Sequence, residues 1–354
     1  MGVVAAVLAA SLLLVDSHRS RIVGAGHPYV RTYSHATRGL SGAMAAGDGQ
    51  AFGALAQDPT LARPGVFVAG RDVAYRFQRP LLGYLAWAVS LGQPQWEPGA
   101  QAAVVVLGAG LAVAAGGELL RRRRRNALLA LAILLMPGML SSISGLTSEP
   151  IALAFLTLGV VAWWAKPRHA GLAASCFVLA TLGRESSLVA VAALMVIEMG
   201  GADRPVRGAV ARRVGPLAIP FGAYLGWLLV LRARLGSWPW TGRQHEFSLV
   251  PLRELFRAMS RFADPTASWL WIVIGSVLIA GALARRERAT LGSIVIAYGL
   301  FAAFFGTAVW ERWQDFSRPL LPLYAYGVVI VLTRVSRAVS DEPQPAPSPV
   351  GLTP

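Results

Sequence analysis

Apolar residues along this chain come in long blocks, at roughly 3–15, 81–91, 100–120, 127–144, 150–165, 170–183, 187–199, 214–231, 266–284, 289–309 and 319–333. Blocks of this kind predict helices embedded in a bilayer, for which about 20 apolar residues make one crossing. The polar breaks carry a second pattern. Basic clusters stand at Arg121 to Arg125, Lys166-Pro-Arg168-His169, Arg204 to Arg213, Arg285-Arg286-Glu287-Arg288, and Arg334 with Arg337. Short basic loops belong on the cytoplasmic side. If all five clusters lie inside, an even number of crossings separates each neighbouring pair. The pairs 127–144 with 150–165, 170–183 with 187–199, 214–231 with 266–284, and 289–309 with 319–333 meet that condition.

Three blocks precede the first cluster, and a cytoplasmic N-terminus leaves room for two crossings. Block 81–91 is short and holds Gly83 and Tyr84, so it is assigned to an interfacial helix. Block 3–15 lacks the basic flank and small-residue cleavage site of a signal peptide and reads as a first anchor, short enough to imply a start a few residues upstream. The expectation is thus an all-α polytopic integral membrane bundle with about ten spanning helices and both termini cytoplasmic. The hairpin 170–199 is either a full pair of spans or a shallow one. Residues 1–339 make one transmembrane domain. Its first external loop is 16–80, with interfacial helices, and its second is 232–265. The proline-rich tail 340–354, "SDEPQPAPSPVGLTP", reads as disordered and cytoplasmic.

Composition agrees. Of 354 residues, 55% are hydrophobic and 14% charged, against about 25% charged in soluble domains. The net charge of +15 is almost wholly arginine, Lys166 being the only lysine. Because the arginines sit between apolar blocks, they read as topology signals rather than as a nucleic-acid footprint. Cys176 stands alone in an apolar run, the five histidines are scattered, and no P-loop, dinucleotide fingerprint or metal-ligand spacing is present.

Chemistry concentrates in the first loop. In "AAGDGQAFGALAQDP" (45–59), Asp48 is placed to cap a short helix that Pro59 ends. A carboxylate at that positive helix end is also suited to be a base or metal ligand. Then "GRDVAYRFQRPLLGYLAWAVSLG" (70–92) sets Arg76 and Arg79 three apart, on one face if helical. Such guanidinium groups either snorkel toward lipid headgroups or grip phosphate oxygens in a bidentate manner. Glu149, directly before Pro150, is a first-turn acid or a second acidic group of a site. Arg184 and Glu185, beside the shallow hairpin, are an ion pair or a functional pair. Arg318 opens the last apolar block as an anchor or a cation for a leaving group. Asp16 is the reserve carboxylate, while Glu118 and Glu198 are best explained by pairing with nearby arginines.

The sequences "GDGQAF…AQDP" and "AYRFQRPLLGYLAWAVSLG" together resemble the first external loop of bacterial type-C (GT-C) membrane glycosyltransferases. The likeness is to a group associated with cell-surface glycopolymer formation. "LATLGRESSLVAVAAL" and "WQDFSRPLLPLYAY" resemble later segments of that group. The resemblance implies a GT-C-like fold and sugar transfer from a polyprenyl-phosphate donor to a glycan or lipid acceptor, outside the bacterial cytoplasmic membrane. It implies Asp48 as catalytic carboxylate of an inverting displacement. Gln50, Tyr75, Arg76, Gln78 and Arg79 fall in the shared motifs as substrate-binding candidates, joined by Glu149, Arg184, Glu185 and Arg318. Two departures stand out: Ala51-Phe52-Gly53 replaces an aromatic-rich triplet, and Gly83 replaces a proline. Metal dependence stays open, and a divalent cation is compatible with the pattern. The competing readings are a lipid-linked glycan transporter or flippase, a polysaccharide polymerase, and a non-catalytic assembly subunit. Membrane lipids are expected partners and nucleic acid is not.

Overall fold

In the computed structural model the described residues are 1–17, 39–45, 48–62, 73–165, 167–200, 207–241, 247–259, 275, 290–310 and 313–340. Among them the chain is helical throughout, without a strand. It opens with α1 (Gly2–Ser17), then four short helices: α2 (Gly39–Ala45), α3 (Gly49–Gln57), α4 (Val73–Arg76) and α5 (Leu81–Val89). The long α6 (Glu97–Arg122) follows, then a 3-10 segment (Ala127–Leu135) and α7 (Pro137–Ser144). Next come α8 (Glu149–Trp163), α9 (Ala170–Gly183), α10 (Ser187–Gly200), α11 (Arg207–Leu235) and α12 (Arg253–Met259). The described helices end with α13 (Thr290–Ala303), α14 (Thr307–Trp310), α15 (Trp313–Ser317) and α16 (Leu321–Ser340).

Packing closes a ring. The helix α6 packs on α8, α8 on α9, α9 on α11, α11 on α10, α10 on α13, α13 on α16, and α16 back on α6. The helix α1 lies along α6, where Gly2 and Ala6 meet Gly110 closely. Small residues permit this approach, as between helices in lipid.

The expectation of about ten spanning helices is overturned. Among the described residues only α6 and the 24-residue stretch Arg212–Leu235 of α11 are long and apolar enough to cross a membrane. A third span results if the pair 127–135 and 137–144, bent by 64°, is one broken crossing. Of the other described apolar blocks, 81–91 forms a helix of nine residues and the rest form apolar helical stretches of 10–17 residues, at most about 26 Å at 1.5 Å per residue, against a hydrocarbon core of about 30 Å. Hydropathy counts apolar residues, but the helix stops where the backbone stops it. Pro137 breaks one block after Met136, whose extended backbone cannot continue a helix. Extended Arg184 ends another at Gly183. Block 266–284, the cluster at 285–288 and the tail from 341 lie outside the described residues, as do most of residues 16–80.

The two spans differ in what they face. Two-thirds of the apolar window of α6 is buried, whereas only 22% of that of α11 is, so α11 leaves Ile219, Leu225 and Leu229 exposed. In a bilayer that face meets lipid tails at no hydrophobic cost. Block 81–91 forms the short helix α5, packed on α3 and α6. A Cβ on Gly83 would come within 2.8 Å of the Leu55 Cβ and 2.9 Å of the Phe52 carbonyl. Close crossing of α3 and α5 therefore explains glycine at that position.

Candidate active site

A cavity of about 1070 Å³ opens where α6 and α8 begin and α9 and α13 end. The residues that resemblance had gathered from four distant stretches converge on it. Asp48, Gln50, Tyr75, Arg76, Gln78, Arg79, Arg184, Glu185 and Arg318 all line it. Glu149 does not. It sits just behind the wall, 3% exposed, held by the Arg184 Nη1 at 2.8 Å, while Ser142 Oγ donates to it at 3.2 Å.

Asp48 is delivered by its neighbours' backbone. It directly precedes α3, and Gly49 presses against the turn after α7, where a Cβ would come 2.5 Å from the Gly145 carbonyl. Fully buried Gln101 clasps both sides of this joint, its Nε2 donating to the carbonyls of Gly49 at 2.9 Å and Leu146 at 2.7 Å. Leu146 itself has a φ of 49°, a left-handed backbone that surrounding packing must enforce.

The expected cap is absent: the Asp48 side chain makes no capping hydrogen bond to α3. Its carboxylate turns outward instead. Arg76 Nη1 donates to Oδ1, and Arg318 Nη1 reaches Oδ2 at 3.0 Å. Burial opposes ionisation of Asp48, but the charges of Arg318, Arg76, Arg79 and Arg184 outweigh it and hold the carboxyl well below the ordinary range. Asp58, ten residues on, is a turn former, accepting from the Ala62 amide at 3.0 Å and Thr60 Oγ1 at 3.1 Å.

Arg76 and Arg79 do not share a helix face. The helix α4 stops at Arg76, and Pro80 disfavours helical backbone at Arg79. The two side chains diverge around the Tyr75 ring, whose centroid lies 5.5 and 5.7 Å from their guanidinium carbons. Arg79 forms a fork with Glu185, at 2.6 and 2.7 Å. That pairing overcomes the effect of burial and lowers the Glu185 pKa to about 2. Gln78 accepts from Tyr224 of α11 at 3.3 Å. Gln50, fully buried, donates to the Ala45 carbonyl at 3.3 Å.

The same cavity also has an apolar lining. Trp240, Phe247, Phe301, Phe305 and Trp313 line the same cavity. Trp238 and Trp240 are stacked with centroids 5.0 Å apart, and Phe247 and Phe301 lie 5.9 Å apart. These aromatic residues were hidden in blocks and loops read only for topology. Gln101, Tyr224 and Asp315, which pairs with Arg318 at 3.0 Å, were also missed. A lone amide inside an apolar block was the available signal for Gln101. Asp16 lines a smaller adjoining cavity of about 250 Å³ that shares Ser141, Ser144 and Trp313 with the main one. Arg71, Asp72 and Arg243 lie outside the described residues.

Among the described residues no three His, Cys, Asp or Glu side chains stand close enough to hold a metal. The acids of the cavity are instead dispersed, each against a guanidinium. Comparison of the chain with protein-family models and with curated proteins finds no match.

Proposed function

We propose that the chain is a membrane glycosyltransferase that moves a sugar from a polyprenyl-phosphate donor to a cell-envelope glycan or glycolipid, at the outer face of a bacterial cytoplasmic membrane. One observation carries the reading. Four sequence stretches that resemble glycosyltransferase segments meet at a single cavity lined both by carboxylate–arginine pairs and by aromatic rings. A lipid phosphate needs both: guanidinium groups for its oxygens and apolar surface for its chain.

The chemistry is an inverting displacement. An acceptor hydroxyl oxygen bonds to the anomeric carbon while Asp48 takes its proton. The bond from that carbon to the phosphate oxygen breaks, and its electron pair leaves on the phosphate. Arg76 and Arg318 stabilise the departing charge where little water competes.

The two ends of the bundle support the assignment of sides. Gln101, near the start of α6, holds Gly49 and Leu146 beside the cavity-lining Asp48 and Thr147, and Arg121 to Arg125 lie at and beyond the end of α6. At that basic end Met1 lies against Gly117, and Arg125 Nη2 donates to the Thr333 carbonyl near the end of α16 at 3.0 Å. Arginine-rich ends stay inside. The cavity then faces out, α6 and α11 cross in opposite directions, and both termini are cytoplasmic.

Two measurements test this. Mass analysis of lipid-linked sugars and surface glycans in a strain lacking the protein should show a sugar-loaded prenyl phosphate accumulating and a glycan substituent disappearing. Unchanged profiles would overturn the activity. A thiol introduced by Thr60→Cys should react with an impermeant reagent from outside, and one from Arg124→Cys only after permeabilisation. The reverse pattern would overturn the orientation.

A further inference from the structure

Among the described residues, the charged groups of the cavity are already paired with one another before any substrate arrives. Four arginines, Arg76, Arg79, Arg184 and Arg318, face four carboxylates, those of Asp48, Glu149, Glu185 and Asp315. An arriving phosphate brings further negative charge and needs guanidinium groups that already hold an anion. A phosphate that takes the donors now used by a carboxylate displaces that carboxylate.

The geometry selects which one. Glu149 is 3% exposed behind the wall, and Glu185 is held by both arms of the Arg79 fork. Asp48, Glu185 and Asp315 are all open to the cavity, with side chains 26, 27 and 36% exposed, so exposure alone does not choose among them; the partners of Asp48 do. Its two oxygens receive guanidinium groups from two separate segments, the arrangement in which phosphate oxygens are bound. Because Asp48 makes no capping bond, withdrawing it from the arginines leaves the start of α3 as it is.

We propose that in the empty protein Asp48 holds the place of the donor phosphate, and that the phosphate on arrival takes Arg76 and Arg318 from it and releases the carboxylate to act as base. This rests on the lipid-phosphate reading above. It orders the reaction: a carboxylate pinned by two cations is a poor proton acceptor, and it becomes a competent one only once the leaving group is in place. The proton of the acceptor hydroxyl passes to Asp48, and the electron pair of the broken sugar–phosphate bond stays on the phosphate between the two arginines.

The test is a binding measurement with a soluble prenyl monophosphate, farnesyl phosphate, on the full-length protein in detergent. Asp48→Asn keeps the volume but cannot compete for the arginines, so it should bind the probe about tenfold or more tighter than the natural protein, the scale of one charge-assisted hydrogen bond. Farnesol, which lacks the phosphate, should not distinguish the two proteins. Glu118→Gln, at the far end of α6, should bind as the natural protein does. Asp48→Ser serves the same comparison should the asparagine variant fold poorly. Binding that is equal or weaker in both Asp48 variants overturns the exchange while leaving the lipid-phosphate reading standing. If neither the natural protein nor the variants bind farnesyl phosphate, that reading fails and the exchange with it.

Discussion

The protein has arginines at both ends of its bundle and uses them in opposite ways. At the basic end Arg121 and Arg122 reach back to Glu118 across one helical turn, and their side chains are 72% and 34% exposed. At the cavity end, partners are far apart in sequence, as with Arg79 and Glu185 or Arg318 and Asp48, and Arg79, Arg184 and Arg318 are 11 to 13% exposed. Exposed local pairs are worth about 0.2–1 kcal/mol because water screens them. Buried charges carry a desolvation cost that hydrophobic residues of like volume would avoid. A fold that keeps three such arginines around one cavity is shaped by something other than stability, which is the physical basis for reading that end as the site. The arginines of the basic end, screened by water, carry no such cost.

Breaking partners at each end should separate the two sharply. The largest effect is expected for Glu149→Gln, which leaves Arg184 buried beside an uncharged amide. It should cost about 3–5 kcal/mol, read as a fall in the thermal midpoint in detergent. A loss as small as that of a surface variant would place Glu149 in a wetter environment than its burial implies.

Next is Asp48→Asn. There is no capping bond to lose, and Arg318 keeps Asp315, so the variant should still fold and insert at a smaller stability cost than Glu149→Gln, while sugar transfer falls roughly a hundredfold or more, the contribution of a positioned base. Abundance in the membrane must be measured alongside; normal transfer would remove Asp48 from the chemistry and leave Asp16, in the adjoining cavity, as the carboxylate to test. Arg76→Lys sharpens the comparison further. Lysine keeps the charge but not the planar fork, so transfer should drop about tenfold if Arg76 holds phosphate, and barely change if it only meets headgroups.

A pH effect is expected at the cavity end. The folded-state pKa of Glu185 is depressed, so its pairing with Arg79 stabilises the protein fully above the ordinary value of 4.5, and that contribution is lost as pH falls toward about 2. The thermal midpoint should therefore decline across that window, and decline less in Glu185→Gln. The smallest effect belongs to Glu118→Gln at the basic end, under about 1 kcal/mol and without change in transfer.

Helical class, membrane character and many boundaries are legible in the residues, because each depends on neighbours within a turn or two. Pro59 and Asp58 end α3, and Glu149-Pro150 starts α8. Glu118 with Arg121 and Arg122 is equally local. The candidate site residues were nameable too, although by resemblance of short motifs and not by any local rule. The number of crossings was not legible. An apolar block records how oily a segment is, and a break such as that between Met136 and Pro137 decides whether it makes one long helix or two short ones. Nor could local sequence choose between cap and ligand for Asp48, since both use the same residue at the same place. That choice waits on Arg76 and Arg318, brought from 28 and 270 positions away. Where such partners meet depends on how α3, α4 and the start of α16 cross, and crossing is fixed by close contacts such as Gly49 against Gly145, which appear only once the helices are packed.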